Sequence, residues 1–280
     1  MSRRYRMEEQ ELAAMEAMRP GRVAPTPRPA AGVVLIRAGE RGLEVLLVRR
    51  RSDVGFAAGA YVFPGGTLDE EDSDPRWTEL LTGPSPDAVR GAADESGPPA
   101  LTFVIAALRE MFEETGVLLT AGDPPSPEGL AADRAALVAG QRRFLDIMSA
   151  RGLRLAADRL VLCARWITPE SLSRRYDARF FLAEAPAGAR IAPERGELVE
   201  HLWTTPARAL ERYFDYDLRM LYPTARTVEW LLDADSVGEL RERFLAKRIE
   251  AIQPRLRPSE EGVISVIPGE PRYDEREGDG

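Results

Sequence analysis

A chain of 280 residues carrying 38 basic against 46 acidic side chains, net charge −8, is too acidic to hold nucleic acid by a basic surface. Its length supports a substantial core, as one domain with extensions or two small ones. No apolar run nears the about 20 residues that span a bilayer, and the start shows no signal-peptide pattern. Cys163 is the only cysteine, which excludes an intrachain disulfide and a thiolate metal centre. A cytoplasmic location is expected.

Residues 1–28 are charged and rich in Ala, Met and Glu before Pro20, Pro25 and Pro27, and read as a flexible arm. Gly32 to Arg37 and Leu43 to Arg49 predict two strands buried on both faces and joined by a hairpin-like connection. Arg49, Arg50 and Arg51 follow. Strand alternation puts Arg49 and Arg51 on one face and Arg50 on the other. Either set could reach a phosphate; Arg49 and Arg51 are the candidates, and solvated strand-end arginines are the alternative. Lys247 is the only lysine, so arginine is also a compositional habit of this chain.

Tyr61 to Phe63 predicts a short strand delivering Gly65 and Gly66, whose missing side chains let backbone approach a ligand closely. Residues 73–101, with Pro75, Pro84, Pro86, Pro98 and Pro99, read as a long loop. A helix then carries Arg109, Glu110, Glu113 and Glu114 up to Gly116, a predicted left-handed stop. At about 3.6 residues per turn, the three glutamates share one face, and Val104, Ile105, Leu108, Met111 and Phe112 take the opposite one. Like charges so placed repel, and clustered carboxylate oxygens are hard ligands suited to Mg²⁺ or Mn²⁺. The plain alternative is a solvated face of an amphipathic helix.

Downstream, one helix is predicted from about Pro127 to Arg151, with Ser126 as N-cap and Leu130, Leu137, Phe144, Leu145 and Met148 as its buried stripe. Strands follow at Arg159 to Ile167, Arg179 to Glu184 and Leu198 to Trp203. Arg175 is either a substrate contact or an ion-pair partner of Asp177 or Glu184. His201, the only histidine, reads as a partly exposed strand residue. Thr205 caps the next helix; Thr224 to Leu232 and a helix from Ser236 to about Ile252 form an extension, and the last part of the tail should be disordered.

Gly-Gly, a spacer, then Arg-Glu-x-x-Glu-Glu-x-Gly-hydrophobic resembles the Nudix box. Its second half is complete from Arg109 to Val117. The first half departs: Asp72 stands where the pattern has glutamate, and residues 73–101 are an insertion. The approach Phe56-Ala57-Ala58-Gly59-Ala60-Tyr61-Val62-Phe63-Pro64-Gly65-Gly66 and the inserted box resemble the coenzyme A diphosphatase branch, which includes peroxisomal enzymes of animals. A C-terminal Ser-Lys-Leu is absent.

The resemblance implies a Nudix-type α/β/α sandwich with a mixed sheet over residues 29–213, and a C-terminal helical extension and tail over 214–280. It implies hydrolysis of a diphosphate linkage in a small nucleotide, first coenzyme A or acyl-coenzyme A, otherwise ADP-ribose, NADH or a nucleotide sugar; a fold that only binds a nucleotide is the alternative. The metal set would be Gly65, by its carbonyl, with Glu110, Glu113 and Glu114. Arg109 would orient a carboxylate, Gly66 would meet substrate, and Glu197, with Glu194 and Glu200 as rivals, would be the base. No nucleic acid or membrane partner is implied, and a homodimer is left open.

Overall fold

A computed structural model describes residues 23–275 apart from 54–56, 86, 95–96, 123–124, 195, 197 and 260–261. Residues 1–22 of the expected N-terminal arm, Glu197 and residues 276–280 therefore lie outside the described residues.

Two long strands, β1 (Arg28–Gly39) and β2 (Gly42–Arg50), pair antiparallel through a tight turn in which Gly39 meets Gly42. Their unbroken Val/Leu/Ile runs suit burial on both sides. Val33 and Leu35 enter one core, and Val34 and Ile36 enter the other. The short β3 (Tyr61–Val62) and β4 (Gly65–Thr67) bring the glycine turn to the sheet, β4 lying against Ala30, Ala31 and Gly32 of β1. Strands β5 (Val161–Ile167), β6 (Tyr176–Glu184) and β7 (Leu198–Thr204) complete seven strands in the path β3-β2-β1-β6-β5, with β4 on β1 and β7 on β2. β1 and β6 are parallel and the other pairs antiparallel, so the sheet is mixed.

One face is covered by α1 (Ala100–Thr115), α2 (Pro127–Val138) and α3 (Phe144–Arg151). The other is covered by α4 (Pro206–Phe214), α5 (Tyr222–Glu229) and α6 (Val237–Leu245). This is the expected α/β/α sandwich. The stripe Leu130, Leu137, Phe144, Leu145 and Met148 is buried, but α2 and α3 replace the single expected helix. Gly140 takes a left-handed φ of 65°, and its N–H returns to the Leu137 carbonyl, which ends α2.

Described residues of the 73–101 insertion are packed onto the domain. A 3₁₀ turn at Pro75–Glu79 buries Trp77 against Phe144, with ring centroids 5.4 Å apart. The Ala88 carbonyl accepts from Leu162 N–H at 2.7 Å, and Asp94 pairs with Arg165. Beyond α6, which stops at Leu245 and not near Ile252, the chain forms a hairpin of β8 (Arg255–Ser259) and β9 (Gly262–Val266) where helix and tail were expected.

Candidate active site

Helix α1 is held in one rotation by its apolar side, since Val104, Ile105, Leu108, Met111 and Phe112 are all at most 1 % exposed. That rotation brings Glu110 and Glu114 to the glycine turn. The helix ends as its sequence predicts, with Gly116 at φ 76° and its N–H on the Phe112 carbonyl. Arg134 of α2 donates from Nε and Nη2 to the Glu113 carbonyl at 3.0 and 2.8 Å, satisfying a backbone oxygen near the helix end.

Arg109 uses all five of its donors. Nε and Nη2 donate to the two oxygens of Asp72, each at 2.9 Å. Nη1 donates to Glu110 Oε1 at 3.0 Å and Glu113 Oε1 at 3.2 Å, and Nη2 also reaches the Thr67 carbonyl at 3.0 Å. Asp72 is fully buried and sits in a 3₁₀ turn, Glu70–Ser73, where it also accepts from Asp69 N–H at 2.7 Å. Its bidentate grip closes on the guanidinium although its side chain is a methylene shorter than the glutamate of the pattern.

The glycine turn needs its glycines. A Cβ on Gly65 would lie 2.5 Å from the Ala31 carbonyl oxygen, and one on Gly66 would run into the Glu110 carboxylate. Gly65 N–H donates to Glu114 Oε2 at 2.9 Å, joining turn and helix directly.

Burial pushes the Glu110 carboxyl up to about 7, opposed by the neighbouring Arg109 charge. Burial likewise raises Glu113. Desolvation works against the charge on Arg109, but Asp72, Glu110 and Glu113 together hold its pKa above the ordinary arginine value. Three carboxylates, Asp72, Glu110 and Glu113, thus gather on the single guanidinium of Arg109. Among the described residues no three acidic, His or Cys side chains are already drawn into a closed metal-binding group. The donors are nevertheless clustered carboxylate oxygens, hard ligands whose chemistry fits a divalent cation.

Glu110, Glu114, Gly65 and Gly66 line one cavity of about 410 Å³. Arg28 and Arg50 line it too, and an apolar wall comes from the end of β5, the start of α5 and β8. Arg49 and Arg51 are outside that lining: Arg49 pairs with Glu200 at 3.3 Å and Arg51 with Asp53 at 2.6 Å. The β2–β7 register slips between Arg49 and Arg50, and it is Arg50, alone on its face, that reaches the cavity. Arg175 is buried and donates to the carbonyls of Thr168 and Pro25, not to Asp177 or Glu184. Asp177 instead serves Arg165 and Arg179. Of the three glutamates named as base, Glu200 faces Arg49, and Glu194 has its N–H on the Glu114 carbonyl at 2.9 Å. His201 is an exposed residue of β7, as expected.

A family model described as the NUDT19 Nudix domain matches residues 87–229, just over half the chain and the whole of the Arg109–Val117 motif. The chain belongs to the Nudix hydrolases of this family. Similar proteins include the acyl-coenzyme A diphosphatase NUDT19 of Homo sapiens, 28 % identical over 272 residues that cover 83 % of this chain and 72 % of that one. The protein of the same name from Gallus gallus is 27 % identical, covering 91 % of this chain and 77 % of that one. Among solved structures, a Nudix hydrolase from Alicyclobacillus acidocaldarius aligns with a TM-score of 0.66 at 29 % identity, over 78 % of this chain and 96 % of that one. This Nudix hydrolase therefore carries its box on the expected sandwich, with Asp72 as the brace of Arg109.

Proposed function

We propose that this Nudix hydrolase cleaves the diphosphate linkage of coenzyme A or an acyl-coenzyme A, with Mg²⁺ or Mn²⁺ as cofactor. Water oxygen joins one phosphorus as the bridging P–O bond breaks, and the products are 3′,5′-ADP and an (acyl-)phosphopantetheine. The observation that carries the reaction class is the junction of α1 and the glycine turn: Glu110 and Glu114 share a cavity with Gly65 and Gly66, braced by the Arg109–Asp72 pair. The substrate rests on the two diphosphatase relatives, whose similarity extends over most of this chain.

Glu110, Glu113 and Glu114 with the Gly65 carbonyl would hold the metal. When bound, such an ion polarises phosphate oxygens and lowers the pKa of water. Arg109 fixes Glu110 and Glu113 by charge-assisted hydrogen bonds, so neither carboxylate has to be ordered when substrate arrives. Arg50 and Arg28 are the cavity arginines suited to phosphate oxygens, a role for which Arg49, Arg51 and Arg175 stand less well placed. Gly66 leaves backbone open to substrate. Glu197 is the nominated base, with Glu194, tied to the end of α1, as its rival.

A panel of coenzyme A, acetyl-coenzyme A, ADP-ribose, NADH and UDP-glucose, read by product mass, tests the assignment. Preferred release of 3′,5′-ADP from the coenzyme A compounds is expected. Preference for another member would keep the diphosphatase and change its substrate.

A further inference from the structure

The cavity extends beyond the carboxylates to apolar side chains: Ile167 at the end of β5, Pro169 and Leu172 after it, Leu221 before α5, Pro254 just before the hairpin and Leu256 in it. The hairpin is firmly attached. Ile252 exchanges hydrogen bonds with β5, its N–H to the Arg165 carbonyl at 2.9 Å and its carbonyl from Ile167 N–H at 2.8 Å. Buried Arg257 donates to the carbonyls of Arg272, at 2.9 Å, and Tyr273, at 3.0 Å, and the Tyr273 hydroxyl donates to Gln253. Arg226 of α5 pairs with Glu270 at 2.9 Å, and Ile267 enters the second core. A segment anchored at so many points presents Pro254 and Leu256 as a fixed wall.

Four aromatic rings of the lining, Phe63, Trp166, Phe180 and Tyr222, pack against other rings. Trp166 stacks on Trp230 at 5.3 Å and donates from Nε1 to Thr227, and Phe180 meets Phe63 edge-on at 5.4 Å. Away from the carboxylates and from Arg28 and Arg50 the lining is mostly aliphatic and proline, broken by Thr168, Tyr176, Thr224 and Ser265, and such a wall binds by excluding water.

We propose that the C-terminal hairpin is a specificity element of the active site. Pro254 and Leu256, with Leu172 and Leu221, receive an aliphatic substituent of the diphosphate substrate and so select acylated substrates over the same nucleotide without the chain. The inference rests on the diphosphatase reading for what fills the polar end of the cavity.

The test compares kcat/KM for coenzyme A and its acetyl, butyryl, hexanoyl and octanoyl thioesters, using the full chain and the variants Leu256→Asp and Leu256→Met. The transfer free energy of a methylene sets a ceiling of roughly fourfold in kcat/KM for each carbon that fits. We expect a rise with chain length in the parent protein, carried by KM. In Leu256→Asp the octanoyl-to-coenzyme A ratio should fall at least tenfold, with Leu256→Met keeping most of it. A parent protein indifferent to chain length, or a Leu256→Asp loss shared equally by all substrates, would overturn the inference and leave the diphosphatase reading intact.

If no coenzyme A compound is cleaved, that reading falls, and binding still decides the inference. Tryptophan fluorescence should then report decyl phosphate bound at least tenfold more tightly by the parent than by Leu256→Asp, with methyl phosphate not discriminating. Equal binding of decyl phosphate by both proteins would overturn the proposal.

Discussion

Asp72 reaches Arg109 with a side chain one methylene shorter than the glutamate of the usual box, and the difference is made up by the 3₁₀ turn that carries it. Both groups are nearly inaccessible to water, so neither has solvent to fall back on. Removing one partner of such a pair typically costs about 3–5 kcal/mol, because the other charge is left buried. Asp72→Ala is therefore predicted to lose about 3 kcal/mol in urea unfolding, the low end, since Glu110 and Glu113 still face the guanidinium. A loss near zero would mean that the pair does not brace the fold. Gly66→Ala puts a methyl where the Glu110 carboxylate lies. It should lower kcat by tenfold or more through displacement of that side chain, with unfolding free energy changed far less. The helical spacing of Glu110, Glu113 and Glu114 was legible in the sequence. The Asp72–Arg109 contact was not, because 37 positions separate the two and only the folded insertion closes that distance. Nor could strand alternation choose between Arg50 and its neighbours: it separates two faces without saying which one meets the cavity.

At the scale of elements, the insertion shows how little proline content says about order. Prolines and glycines foretold that the described residues between 74 and 99 form no α-helix and no long strand, while Ala100 and Leu101 already belong to α1. The insertion's tethers were invisible, because Phe144, Leu162 and Arg165 lie far along the chain and only the sheet brings them near. Asp94 is the tether that titrates. Its hydrogen bond from Arg165, then the charges of Arg165 and Arg179, hold its carboxyl below the usual aspartate value. A carboxyl so depressed binds fewer protons folded than unfolded, so its contribution is complete above the ordinary value near 3.8 and fades as pH falls through the lower folded value. Hydrogen exchange in residues 87–94 should therefore quicken below about pH 4, and Asp94→Asn should show the faster exchange already at pH 7. Unchanged exchange in that variant would assign the tether to packing alone.

Across the whole molecule, most long strands and helices up to α6 followed from periodicity and caps, the split into α2 and α3 apart: Ser126, Thr205 and Ser236 all accept from backbone N–H groups three residues on. The parallel pairing of β1 with β6 was not readable, since no local pattern marks partners so distant in sequence. The C-terminal hairpin escaped for a related reason. Its Pro-, Gly- and acid-rich composition resembles a tail, and its order comes from Arg257 and Tyr273 closing the segment on itself and from Ile252 and Glu270 tying it to β5 and α5. Sheet, helices and hairpin converge on one cavity with carboxylates at its polar end. On the proposed function these carboxylates carry metal-dependent cleavage of a diphosphate linkage. The most direct measurement is product mass from coenzyme A with the EDTA-stripped protein, before and after Mg²⁺ or Mn²⁺ is restored, for the parent and for Glu114→Gln. We expect 3′,5′-ADP only with metal present, and a rate about 100-fold lower or more in the variant. Cleavage that survives metal removal, or that Glu114→Gln leaves unchanged, would contradict it.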